Sequence, residues 1–223
     1  MTLNTRSIDY HSGSRPVGDI VSKTYQLLAI SIAISAVTAW FGRGLSFAYE
    51  HPFILMLLGF AALFAVIITG SKDQPIAIPL VVVFTGLMGL SLGPAIEQTL
   101  QLANGPLIVT EATGGTAIIF IGLSLYAAVS KRDFSVMGGF LMTGLIIAIL
   151  AGIANFWLRM PALQLTIAAA SMLIFSGYTL IDTQRLLQGG ETRPVLLMIS
   201  LYLDVLNIFV SLLQLLTALQ GRR

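Results

Sequence analysis

The sequence predicts an all-α membrane protein of seven transmembrane helices, and three observations predict it. Only 10% of the 223 residues are charged, against roughly 25% in soluble domains. Hydrophobic residues make up 56% of the chain, and the mean hydropathy is +0.89. The apolar residues also gather into blocks of about 17 to 25, the length that crosses a bilayer core of about 30 Å. A water-facing surface cannot be built from so little charge, so lipid is the solvent that this composition fits.

The blocks follow in order. Residues 1–24 form a polar tail, expected to be disordered and cytoplasmic, and residues 25–220 form the transmembrane domain. The first block covers 25–41 and ends at Gly42-Arg43-Gly44; the absence of a small-residue cleavage site keeps it as a helix rather than a signal peptide. The second covers 53–69 and stops at Gly70-Ser71-Lys72-Asp73. The third begins near Ile76 and fades after Gly93-Pro94, where the proline is expected to end it. Pro79 falls in its first turn, where proline is tolerated.

The fourth block covers 107–129, the fifth 135–158, the sixth 162–187 and the seventh 195–219. Backbone groups in hydrocarbon must be satisfied within the segment, so each block is a helix. Only the connections 42–52 and 94–106 exceed about ten residues, a usual length for such links, which leaves no room for a second soluble domain. Gly89 and Gly93 have the GxxxG spacing that lets helices approach closely, and the expected use is packing within the chain rather than dimerisation.

Orientation follows from Lys and Arg. With the N-terminus cytoplasmic, that side holds Arg6, Arg15, Lys23, Lys72, Lys131, Arg132, Arg185 and Arg193, and the other holds Arg43, Arg159, Arg222 and Arg223. This excess predicts a cytoplasmic N-terminus and, for seven spans, a C-terminus on the periplasmic side.

Several functions are disfavoured. The net charge is +2 and its basic residues form no patch, which argues against nucleic acid. There is no cysteine, hence no disulfide or thiolate metal site. His11 lies in the tail and His51 in a loop, and no HExxH, Walker A, GxGxxG or GxSxG pattern occurs. No enzymatic activity and no bound cofactor are expected.

Chemistry is left to the acidic residues. Asp9, Asp19, Glu50, Asp73, Glu97, Asp133 and Glu191 are read as tail or loop residues, whereas Glu111, Asp182 and Asp204 fall in or at apolar blocks. An acidic side chain at mid-membrane costs about 2.5–3.5 kcal/mol on insertion scales, so such residues face a protein interior or a wet path. Asp204 lies ten residues past Pro194, about 15 Å into the membrane at 1.5 Å per residue. Asp182 is either interfacial or functional, and Glu111 fits an interfacial carboxylate near a helix start. The sixth and seventh helices are joined by a short hairpin at Gly189-Gly190, so Asp182 and Asp204 can meet. Carboxylates in contact tend to share a proton, which would make a pH-sensing latch; deprotonated, the pair would attract a hard cation such as Ca²⁺.

These residues carry a resemblance. Phe175-Ser-Gly-Tyr-Thr-Leu-Ile-Asp182-Thr-Gln184 and Ser200-Leu-Tyr-Leu-Asp204-Val-Leu-Asn207-Ile-Phe209 resemble the paired signature of the Bax inhibitor-1 (transmembrane Bax inhibitor motif) family, and Phe84-Thr-Gly-Leu-Met-Gly-Leu-Ser-Leu-Gly-Pro94 looks like its third helix. Met137-Gly-Gly-Phe-Leu-Met-Thr-Gly144, Met160-Pro-Ala-Leu163, Gly189-Gly-Glu-Thr192 and Asn207-Ile-Phe-Val-Ser-Leu-Leu213 are similar to the bacterial YccA branch. The resemblance implies six helices wrapped around a central C-terminal helix.

For function, the branch implies an inner-membrane protein that binds and modulates the membrane AAA protease FtsH. The polar residues 1–24 suit the grip of a cytoplasmic ATPase ring. The wider family implies a pH-regulated Ca²⁺ leak sensed by the aspartates matching Asp182 and Asp204, with an arginine in the second helix facing them. The second block here holds no charged residue, which is a departure from that pattern.

Overall fold

The structure is a computed structural model that describes residues 16–189 and 191–220. Its helices are α1 (Val17–Gly42), α2 (Ser46–Glu50), α3 (Pro52–Ser71), α4 (Ala77–Leu100), α5 (Gly105–Val129), α6 (Gly138–Leu158), α7 (Pro161–Gln188) and α8 (Pro194–Gln220), with one 3₁₀ turn at Ser135–Met137. All of these except α2 are long and apolar enough to cross a membrane, α6 together with the 3₁₀ turn before it. Pro52, Pro106, Pro161 and Pro194 sit in the first turns of α3, α5, α7 and α8, where no N–H partner is lost.

Three sequence expectations are corrected. The first helix begins at Val17, not Tyr25, so residues 17–24 of the polar tail are helical. Asp19 stands in the first turn, favourable to the helix dipole, while Ile20 and Thr24 are buried, which places this turn in the bundle. The remainder of that tail, residues 1–15, lies outside the described residues. Pro94 does not end α4, which continues to Leu100 and carries Glu97 with it. A proline removes one N–H bond and crowds the carbonyl four residues back, but in lipid the remaining donors are best satisfied by continuing the helix. The connection read as 94–106 therefore shrinks to 101–104, and 42–52 contains α2.

The most extensive packing is between α1 and α4. A Cβ added at Gly93 would overlap backbone atoms of Gly42 and Arg43, one at Gly89 would overlap Ser35 and Thr38, and one at Gly42 would meet the Leu90 carbonyl. The GxxxG face is thus used within the chain, with backbone against backbone. At one end of this contact Arg43 Nε donates to Glu97 Oε2 at 2.7 Å.

The core joins α1, α3, α4, α7 and α8 through Ile20, Leu28, Val66, Phe84, Leu186 and Tyr202. Phe84 and Tyr202 meet edge to face with ring centroids 5.5 Å apart. The span α8 has the largest buried share and packs against α1, α3, α4, α5 and α7, whereas α6 packs on α7. The outward faces are apolar, as at Phe140, Ile147 and Trp157 of α6, which fits contact with lipid. The protein is a multi-pass membrane protein.

Candidate functional site

Gly189 closes α7 in the left-handed region at φ 70°, a conformation that glycine adopts without a Cβ penalty. The loop after it is clasped by Glu191, which accepts from Arg193 Nε and Nη2, both at 2.8 Å, and from the backbone N–H of Thr192 at 2.9 Å. Arg193 Nη1 donates in turn to the Ser71 carbonyl at the end of α3, at 2.6 Å. This turn makes α7 and α8 packed neighbours. The hydrogen bonds from Arg193 hold the Glu191 carboxyl below its ordinary range.

On these two helices Asp182 and Asp204 are both buried, 8% and 2% exposed. They stand on helices packed against each other. Among the described residues Asp204 Oδ2 is buried without a hydrogen-bond partner. Asn207, three residues further along α8, donates to the Leu203 carbonyl of its own helix at 2.8 Å. A buried carboxyl oxygen left without a donor is costly, and such groups gather where structure serves function.

Arg185 stands one turn along α7 from Asp182, with its Nη1 3.6 Å from Asp182 Oδ1. In the sequence Arg185 bears on orientation and, three residues after Asp182, on the depth of that aspartate; the arginine that the family resemblance places in the second helix is absent from α3. Gln184, in the same signature, ties the loop before α6 to α7: it accepts from the Phe134 N–H at 2.9 Å and donates to the Arg132 carbonyl at 2.7 Å.

Glu111 stands apart from the pair. It lies on α5 and accepts from Gln220 Nε2 at the far end of α8, at 2.5 Å. Among the described residues no three or more His, Cys, Asp or Glu side chains gather as a metal cage. Two carboxylates supply at most four of the 6–8 oxygens that Ca²⁺ takes.

The fold defines a seven-helix membrane protein with a buried aspartate on each of its last two helices. The chain belongs to the Bax inhibitor-1 family: the family described as "Inhibitor of apoptosis-promoting Bax1" matches residues 17–221. It is similar to an uncharacterised membrane protein of Vibrio cholerae, 37% identical over 197 residues, covering 88% of each chain. It is equally similar to the Escherichia coli protein named "Modulator of FtsH protease YccA", 37% identical over 198 residues, which cover 88% of this chain and 89% of that one. A Pseudomonas aeruginosa protein is 35% identical over 202 residues, covering 90% of this chain and 89% of that one.

Proposed function

We propose that this protein is a non-enzymatic inner-membrane partner of an FtsH-type protease, which it binds and modulates. The observation that carries the reading is the near end-to-end similarity to the relative named as a modulator of FtsH, 37% identical with 88% and 89% coverage. The distribution of Lys and Arg supports a cytoplasmic N-terminus and a periplasmic C-terminus, which would offer residues 1–15 to an ATPase ring on the cytoplasmic side.

The test is co-purification with the protease and the protein's lifetime in cells, with and without residues 1–15. The deletion stops at residue 15 because Ile20 and Thr24 are buried in the bundle. Loss of degradation with an intact fold supports the reading. Full-length protein that fails to co-purify with the protease, with the same lifetime in cells lacking it, overturns it.

A second reading, a pH-regulated leak for Ca²⁺ or protons, rests on the buried Asp204 Oδ2 beside Asp182. Flux from proteoliposomes over about pH 5 to 8, a range in which an ionisable switch operates, tests it with wild type and Asp204→Asn. A pH-dependent flux altered by the substitution supports a leak. Absence of flux of either ion at every pH removes it.

A further inference from the structure

Between α1 and α5, floored by α8, lies a cavity of about 580 Å³ lined by residues that include Ile32, Ala36, Leu92, Ala117, Val205 and Phe209. A smaller one of about 250 Å³ continues it toward Thr183 and Leu187, and Phe120 and Ile121 form walls of both. We propose that the larger cavity is a binding site for one acyl chain of a membrane phospholipid whose phosphate rests against Arg43.

Size decides between candidate occupants. A transmembrane helix about 10 Å wide and 30 Å long fills roughly 2,400 Å³, so another protein's helix cannot enter. With a methylene close to the roughly 30 Å³ of a water in the liquid, the space holds about 19 such groups, a long acyl chain. Along α1 the groove runs from Arg43 to Ile32, about 17 Å at 1.5 Å per residue. That is close to the roughly 15 Å depth of one leaflet.

The wall chemistry agrees. The hydroxyl groups of its lining are those of Ser35, Thr113, Thr116 and Tyr202, and they are already satisfied: Thr113 and Thr116 donate to the Val109 and Ala112 carbonyls of their own helix. Ser35 donates its hydroxyl to the Thr85 carbonyl at 2.9 Å, so in the 2.7 Å contact Tyr202 must be the donor and Ser35 the acceptor. The cavity floor therefore offers an apolar chain no unmet donor.

The mouth differs. Arg43 lies 4.3 Å over the Trp40 ring, an interfacial pairing. It spends Nε on Glu97, and among the described residues neither Nη group donates to the protein. Those donors suit a phosphate.

The experiment uses the full chain in vesicles containing a phospholipid with a diazirine on its acyl chain. Photolabelling is mapped by mass spectrometry, and lipid retained through detergent purification is identified. Expected are labels concentrated at Ile32, Ala36, Ala117 and Val205 over the lipid-facing Phe140 and Ile147, with one phospholipid retained per protein. Ala117→Trp and, independently, Ala36→Trp should cut groove labelling several-fold while α6 labelling is unchanged, and Arg43→Gln should lower retention with Arg43→Lys restoring part of it. Groove labelling no higher than that of α6, indifference to both tryptophans, or retention of a free fatty acid in place of a phospholipid would overturn the assignment.

Discussion

Tyr202 on α8 donates its hydroxyl to Ser35 on α1 across 2.7 Å, at a point where both side chains are buried. The direction follows from Ser35 spending its only proton on the Thr85 carbonyl of α4, so one hydrogen-bonded chain links three helices. The two partners are not equivalent. Ser35→Ala strands the Tyr202 hydroxyl and should cost about 1–3 kcal/mol, whereas Tyr202→Phe removes a donor and leaves Ser35 bonded, costing about 0.5–1.5 kcal/mol. Unfolding of the two variants in micelles checks the order, and a larger loss for Tyr202→Phe would contradict it.

Gly93 is expected to be intolerant of any side chain. Its Cβ position is occupied by backbone of Gly42 and Arg43, which cannot rotate away. Gly93→Leu should destabilise by at least the 1–3 kcal/mol or so typical of overpacking. Gly114, with open space where its Cβ would go, should accept alanine with a change within about 0.5 kcal/mol. Melting temperatures of the pair provide the comparison.

The α7–α8 loop should loosen only in acid. The Glu191 carboxyl is held below its ordinary value of 4.5 by Arg193. A group depressed on folding contributes above its unfolded value, and that contribution is lost as pH falls through the folded one. Proteolysis or amide exchange at Glu191 and Thr192 should therefore stay flat from neutrality to about pH 5 and rise below about pH 4. In Glu191→Gln the loop should be loose throughout, and a rise near neutrality in wild type would count against the clasp.

Gln184→Leu should free the segment between α5 and α6. It removes the acceptor of the Phe134 N–H and the donor to the Arg132 carbonyl together, and the buried Phe134 N–H left unpaired costs about 1–3 kcal/mol. Faster protease cleavage near Lys131 and Arg132, with α6 still inserted, is the expected result.

Arg185 bears on the leak reading in a particular way. Its contact with Asp182 spans three residues of one helix, so helices can move apart without breaking it. On that reading Arg185→Gln should displace the pH profile of the flux, because a cation 3.6 Å from Asp182 bears directly on the ionisation of that carboxyl. An unchanged profile would remove Arg185 from the sensor.

The seven spans were legible because lipid demands long apolar blocks, and five of them begin and end within two residues of their expected limits. The misses have local causes. The polar run at Ser22, Lys23 and Thr24 hid the first two turns of α1, because a hydropathy reading cannot see that Thr24 packs inward. Pro94 looked like a stop, but its neighbour Gly93 presses on α1 and the helix carries on past it. The packing of α7 against α8 was legible from the short hairpin. Two features were not: the missing partner of Asp204 Oδ2 and the role of Arg185, since both depend on which way side chains turn.

The union of α1 and α4 has a consequence for how the chain is made. These helices are the most extensively packed pair, yet α3 and its flanking loops come between them in the order of synthesis. At about 5–20 residues per second, the 58 residues from Gly42 to Leu100 take roughly 3–12 s to appear. For that interval the small-residue face of α1, with Ser31, Ser35 and Gly42, stands in the membrane without its mate. A nascent chain stalled before residue 100 would therefore present that face to whatever insertase or quality-control helix is nearby, which makes the early bilayer-bound intermediate, rather than the finished bundle, the form most open to capture.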